Sequence, residues 1–351
     1  MISSERIKLL IKLMVSHTLY LLGVLQLWQR MVLRNKAVVF MYHRVLTEGE
    51  RLKTGSSPGI MVDRDAFAAQ MAFIKQHLKV LTAEEFADRM ERKVPFEHAS
   101  CLLTFDDGWK DNYVHALPIL RQYGLPALVF LPVNFIGGHR LFWQEHLTHL
   151  VVQAVLLVRR EPERRGRLCK LLAPLGLDAV LDCPDSHPQS IVVEAVRRNK
   201  NLAPLLINAT LASIAVELGV RLGESEHVDG FLDWGQVECM ARQGIAFGGH
   251  GAEHRILTLI SIDEAQCEIR TAKHVVESHL PGRVQAFSYP NGNWSPDVAK
   301  LVEEAGYRLA FTTEPSHVSC EDDRFTLRRI NIHEGLLNST PMFLARIVGL
   351  F

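Results

Sequence analysis

Short, nearly uninterrupted apolar runs recur along this chain, and they restrict its fold more than any other feature. They fall at residues 37–42 (AVVFMY), 101–105 (CLLTF), 127–131 (ALVFL), 245–247, 286–289, 309–311 and 327–332. A strand that is apolar at every position needs cover on both faces, whereas a sheet with one wet face would alternate. Stretches with helical spacing separate most of the runs. Residues 65–78 place Phe67, Met71, Phe73 and Ile74 on one side, and a helix around 114–123 is closed by Gly124. Ser261-Ile262-Asp263-Glu264 reads as a capping box. Ser295-Pro296 supplies a cap and a first-turn proline, with Gly306 at the far end. Buried strands alternating with helices predict an α/β chain with a parallel sheet, open or closed into a barrel.

Two segments depart from this rhythm. Residues 143–230 are rich in Leu, Ala and Arg and hold no buried strand, so a helical insertion in one large domain, 35–351, is expected. Residues 1–34 read as a basic, apolar N-terminal helix. Its run LMVSHTLYLLGVLQLW at 13–28 is short for a spanning helix and has no small-x-small cleavage site. Arg6, Lys8 and Lys12 precede it, and Arg30, Arg34 and Lys36 follow. Three readings stay open: an interfacial helix touching a membrane peripherally through residues 7–28, a helix packed on the core, or a signal or anchor. The first fits the basic flanks best. It implies a membrane-associated protein, at the cytoplasmic face or in the cell envelope or beyond.

Composition excludes some partners. The 351 residues carry 39 basic and 39 acidic side chains, so no strong positive field exists to hold nucleic acid. No phosphate-cradling Gly-rich motif is present. The six cysteines (Cys101, Cys169, Cys183, Cys239, Cys267, Cys320) form no Cys-x-x-Cys pair, which removes zinc-ribbon and thioredoxin-type sites and leans towards a reducing compartment.

Two motifs carry chemistry. Thr104-Phe105-Asp106-Asp107-Gly108 puts two carboxylates where an apolar strand ends, the place where parallel α/β folds keep catalytic groups. Neighbouring carboxylates repel unless a cation lies between them or one is protonated. Gly248-Gly249-His250-Gly251-Ala252-Glu253-His254 offers histidines four apart, able to reach one metal. Each motif alone is common. Together, two histidines and one carboxylate make an open metal site, and the second aspartate is left to act as a base.

With these motifs the sequence resembles the NodB-type polysaccharide deacetylases, carbohydrate esterase family 4. The similarity runs through Met41-Tyr42-His43-Arg44-Val45, Trp109 to Tyr113, Leu232-Asp233-Trp234, Phe287 to Gly292 and Ala310 to Thr313. Within the family it looks closest to the exopolysaccharide branch, which includes poly-β-1,6-N-acetylglucosamine deacetylases. The resemblance implies a distorted, seven-stranded (β/α) barrel. It implies Asp107, His250 and His254 as ligands of one divalent metal, zinc first and cobalt, nickel or manganese next. It implies Asp106 as general base, the Asn291 amide at the oxyanion and His333 as general acid. Tyr289 and His43 are candidates for the pocket wall.

The expected reaction is removal of N-acetyl groups from an amino-sugar polysaccharide or oligosaccharide, with release of acetate. The alternatives are hydrolysis of another C–N bond, in a small cyclic amide or a lipid-linked sugar, and a glycan-binding pseudoenzyme. Three positions depart from the family pattern. Gly251 stands where the family has a hydroxyl residue. Ser288 stands where many members have an arginine that orients the base, a task left to Arg328 or Arg329. His333 follows Ile-Asn-Ile.

Overall fold

The computed structural model describes residues 4–97, 99–182, 188–199, 204–220, 229–333 and 339–351. The chain divides into two compact units. One comprises Met1–Glu48, Pro58–Gly137 and Phe231–Phe351; the other comprises Gly49–Ser57 and Gly138–Gly230.

The first unit is built on seven parallel strands: β1 (Lys36–Tyr42), β2 (Ser100–Phe105), β3 (Ala127–Leu131), β4 (Ile245–Gly249), β5 (Ala286–Ser288), β6 (Leu309–Phe311) and β7 (Ile330–Asn331). Neighbours pair in that order, with Tyr42 opposite Phe105, Val129 opposite Phe247, and Phe287 opposite Ala310. The ring closes at the last strand. A bridge joins Phe311 to Leu327, and Phe40 pairs with Ile330. The apolar runs predict the parallel sheet and the family resemblance the (β/α) barrel, here distorted where β7 shrinks to two residues. Short strands Lys79–Val80 and Val318–Ser319 extend the sheet beside β2 and β1.

Burial explains the all-apolar strands. Phe40, Phe130 and Phe311 from β1, β3 and β6 are fully buried, and Phe130 and Phe311 have ring centroids 5.6 Å apart. Each such ring stabilises the fold by about 1.5–3 kcal/mol. Gly248 is required by close approach, since a Cβ there would lie 2.6 Å from the Ala286 carbonyl oxygen. The helices are capped as their sequences predict. Ser261 and Glu264 complete a reciprocal box at the start of Ile262–His279, and the Ser295 hydroxyl accepts from Val298 N–H ahead of Pro296–Glu304.

The second unit is helical among its described residues, with helices Trp143–Arg160, Arg165–Leu172, Pro188–Asn199 and Pro204–Leu218. It has its own core, including Leu147, Val151, Leu168, Leu172, Ile207 and Ile214. The sequence predicts the helical segment over 143–230; the second unit also takes in 49–57 and 138–142. Polar bonds explain the addition of 49–57. The Asp229 carboxylate accepts from the Thr54 hydroxyl, from Gly55 N–H at 2.8 Å and from the His149 ring at 2.8 Å. Ser56 donates to Glu145 at 3.0 Å.

The N-terminal segment is two helices rather than one, Ser4–Leu21 and Val24–Val32, bent by 86°. Gly23, at φ 73°, takes the left-handed conformation that ends the first helix. Among the described residues the cysteines are free thiols; Cys183 lies outside those residues.

Candidate active site

Parallel strands deliver their C-terminal ends to one end of the barrel, and the predicted motifs sit there. Main-chain bonds continue past the strands and fix them. Asp106 N–H donates to the Tyr42 carbonyl at 2.9 Å, His250 N–H to Leu131 at 3.0 Å, and Tyr289 N–H to Phe311 at 3.0 Å.

Asp107, His250 and His254 come together as a group whose potential ligand atoms lie within 4.8 Å of one another. Both histidine Nε2 atoms approach the same carboxylate oxygen, Asp107 Oδ1, at 3.4 and 3.3 Å. The other oxygen, Oδ2, accepts from the Trp109 indole N–H at 3.0 Å. His250 Nδ1 lies 2.7 Å from the Ser288 carbonyl. A carbonyl only accepts, so Nδ1 carries the proton and Nε2 presents its lone pair in the neutral ring. Two imidazole nitrogens and one carboxylate oxygen aimed at one point fit a divalent cation. Burial alone would raise the Asp107 pKa, yet the bonds to His250 and His254 hold it well below the usual carboxylate range.

Asp106 is clamped by a buried arginine. Arg329 Nη1 and Nη2 donate to its two oxygens at 2.7 Å each. The same guanidinium donates to Ser288 Oγ at 2.9 Å, Thr104 Oγ1 at 3.2 Å and the Thr312 carbonyl at 2.8 Å. Burial works to raise the Asp106 pKa, and the Arg329 charge and bonds outweigh it, so the net shift is downward. Arg329 therefore takes the place left open between it and Arg328. Arg328 is half exposed and faces Glu314 at 3.7 Å. Ser288, small and buried, leaves room for the fork to arrive from the neighbouring strand.

Gly251 has a local explanation. Its φ is +75°, and a Cβ there would meet Glu268 Oε2 at 2.9 Å. That carboxylate accepts from Ala252 N–H at 2.7 Å and Glu253 N–H at 2.9 Å, holding the loop that carries His254. Sequence reasoning missed Glu268. The signal was a lone charge on the buried stripe Ala265, Glu268, Ile269, Ala272 and Val276 of its helix.

The other predicted residues divide. His43, just past β1, feels Asp107, Asp106, Arg329 and His250; burial is the largest influence and lowers its pKa. Its buried Nδ1 has no hydrogen-bond partner among the described residues. His333 is lowered first by burial and then by Arg346, a residue of the C-terminal helix Thr340–Ile347. The charges of Asp107 and Asp106 are thus among the main influences on His43. Tyr289 is fully buried, and its hydroxyl donates to the Phe325 carbonyl at 2.9 Å, which commits the ring to the core rather than a pocket wall. Asn291 is exposed in a turn at φ 58°. Asp107 (φ 74°), His254 (φ 53°) and Asn291 are three of the five non-glycine residues with positive φ among those described. Such conformations cost of order 1–3 kcal/mol each and concentrate at functional sites.

Comparison with known proteins identifies the family and the fold. A family model described as polysaccharide deacetylase matches residues 93–156 and 200–310. YxkH of Bacillus subtilis, a protein named provisionally as a polysaccharide deacetylase, is 20% identical over 87% of this chain and 74% of its own. A poly-beta-1,6-N-acetyl-D-glucosamine N-deacetylase of Staphylococcus epidermidis is 34% identical over 113 residues, 30% of this chain and 39% of that enzyme. The Streptococcus pyogenes deacetylase PplD, solved with acetate, shares the fold at TM-score 0.55 and 18% identity, over 86% of this chain and 95% of that one. IcaB from Ammonifex degensii does so at 0.53 and 16%, over 90% and 97%. The chain belongs to the polysaccharide deacetylase family.

Proposed function

We propose that this chain is a metal-dependent hydrolase that removes N-acetyl groups from an N-acetylglucosamine-type polysaccharide and releases acetate. One observation carries the reading: a carboxylate clamped by Arg329 stands next to a two-histidine, one-carboxylate group at the open end of the barrel. The staphylococcal relative's named activity supports the polymer class. Asp107, His250 and His254 would hold the cation, zinc by preference and cobalt, nickel or manganese as acceptable substitutes for the same donors. When bound, it would polarise the acetyl carbonyl and acidify water.

The chain's own residues do the rest. Asp106 accepts the proton of the attacking water, and the Arg329 fork holds its carboxylate in one orientation through that transfer. The Asn291 amide is assigned to the developing oxyanion. His43, rather than His333, is assigned to protonate the departing amine, because it lies in the field of both aspartates. His43 must carry a proton before it can donate one; the charges of Asp107 and Asp106 favour that form against burial, which disfavours it.

The test is acetate release from N-acetylated glucosamine oligomers before and after chelation. Activity that disappears with chelator and returns with added zinc supports the assignment. Release that persists in a demonstrably metal-free protein refutes it.

A further inference from the structure

The N-terminal helices turn the wrong face outward for a soluble domain. Ten of the twenty exposed large apolar side chains among the described residues lie between Ile7 and Met31. On helix Ser4–Leu21, residues Ile7, Leu10, Ile11, Met14 and Leu21 recur at helical spacing and all are exposed, Met14 at 71% and Leu21 at 84%. An amphipathic helix normally buries such a stripe. Here the buried contacts come from other positions. Ser16 lies against Met342 of the C-terminal helix, and Leu25, Gln29 and Leu33 form the inner side of the second helix and its end.

Charge follows the same segment. Residues 1–36 hold six basic side chains and one acidic, against 33 and 38 in the rest of the chain. Lys8, Arg30, Arg34 and Lys36 are exposed beside the apolar positions. No single described helix is both long and apolar enough to cross a bilayer; the two helices together are, by length and composition, but they turn by 86° at the break between them. A second copy of the chain would set two strongly cationic faces against each other, which is repulsive. An anionic bilayer surface matches both properties: acyl chains for the stripe and headgroups for the cations.

We infer that residues 7–31 are a docking surface for an anionic lipid bilayer, with both helices lying in the interface and neither crossing it. The inference is independent of the deacetylase reading.

The test uses the full chain and vesicle co-sedimentation, comparing phosphatidylcholine alone with phosphatidylcholine mixed with phosphatidylglycerol. Each basic side chain near an anionic surface contributes roughly fivefold in affinity. Arg30→Ser with Arg34→Ser should therefore lower binding to the mixed vesicles about 25-fold. Met14→Glu with Leu22→Glu should nearly abolish it. All four side chains are exposed, and unchanged circular dichroism and melting curves confirm that the variants fold. High salt should release the parent protein. Three outcomes overturn the inference: no association with mixed vesicles, equal affinity for neutral and anionic ones, or a concentration-dependent dimer that the glutamate variants dissociate.

Discussion

Replacing Arg329 with methionine would remove the clamp on Asp106 while keeping an apolar stem of similar reach. In the parent, the guanidinium is fully buried and donates to four groups, two of its bonds reaching the Asp106 carboxylate at 2.7 Å. The variant leaves Asp106 buried and uncompensated. Breaking a buried pair in this way costs about 3–5 kcal/mol, a large share of the roughly 5–15 kcal/mol that holds an ordinary domain together. The sign of its pH dependence follows from the lowered Asp106 pKa. A carboxylate depressed in the folded state adds stability above its ordinary pKa and loses it as pH falls through the depressed value. The deficit of Arg329→Met should therefore be largest at neutral pH and shrink through the carboxylate range as Asp106 becomes protonated. Urea denaturation at pH 7 and pH 4 measures it, and acetate release at pH 7 reads the base. General-base catalysis is worth about 10²–10⁴-fold, which caps the expected loss of turnover. Arg329→Lys, which keeps the charge and loses the fork, should fall between parent and Arg329→Met on both measures. Arg328→Met is the control, since an exposed pair contributes about 0–1 kcal/mol. If Arg329→Met matches the parent in stability and rate, or if Arg328→Met loses more, the clamp argument is wrong.

The remaining expectations share one preparation. Asp106→Asn should keep its metal and lose about 10²–10⁴-fold in turnover, whereas Asp107→Ala, His250→Ala and His254→Ala should lose metal as well; metal analysis of each sample decides. His43→Asn should lower turnover by a similar factor while His333→Asn stays within a few-fold, and the opposite ranking would return the acid role to His333. Gly251→Ser should be strained by its φ of +75° and its approach to Glu268, costing about 1–3 kcal/mol. Glu268→Ala should weaken metal affinity about 10–100-fold. Combining the last two should regain part of the loss, because the hydroxyl then occupies room the carboxylate vacated; simple additivity in titrations would separate the two residues.

The parallel sheet was legible because strands buried on both faces leave short runs that are nearly all apolar, six of them broken by at most one polar residue and the last, 327–332, by three. Asp106, Asp107, His250 and His254 were legible because they stand in the two segments that follow such runs. Arg329 was left tied with Arg328, since two adjacent arginines after a strand differ only in which face the pleat gives them. Glu268 stood out only as a lone charge on an apolar stripe; the loop it supports lies 16 residues away in sequence, and nothing in linear spacing links them. His43 and His333 both end strands, and linear spacing does not say which of them the charges of the aspartates reach. The attachment of residues 49–57 to the helical unit rests on Asp229, 175 residues from Thr54, beyond the reach of local pattern.

The closure of the barrel by its seventh strand also imposes a timetable. Asp107, His250 and His254 have all left the ribosome before Arg329, which sits 223 residues beyond Asp106. At about 5–20 residues per second, the interval between a nascent Asp106 and its clamp is roughly 10–45 s. For the last third of that time, the 75 residues between His254 and Arg329, the growing chain holds all three proposed ligands and an aspartate with no guanidinium to hold it. On the proposed function, affinity for metal thus precedes competence for hydrolysis during synthesis. A chain that stops short of residue 329 would sequester a cation without being able to cut.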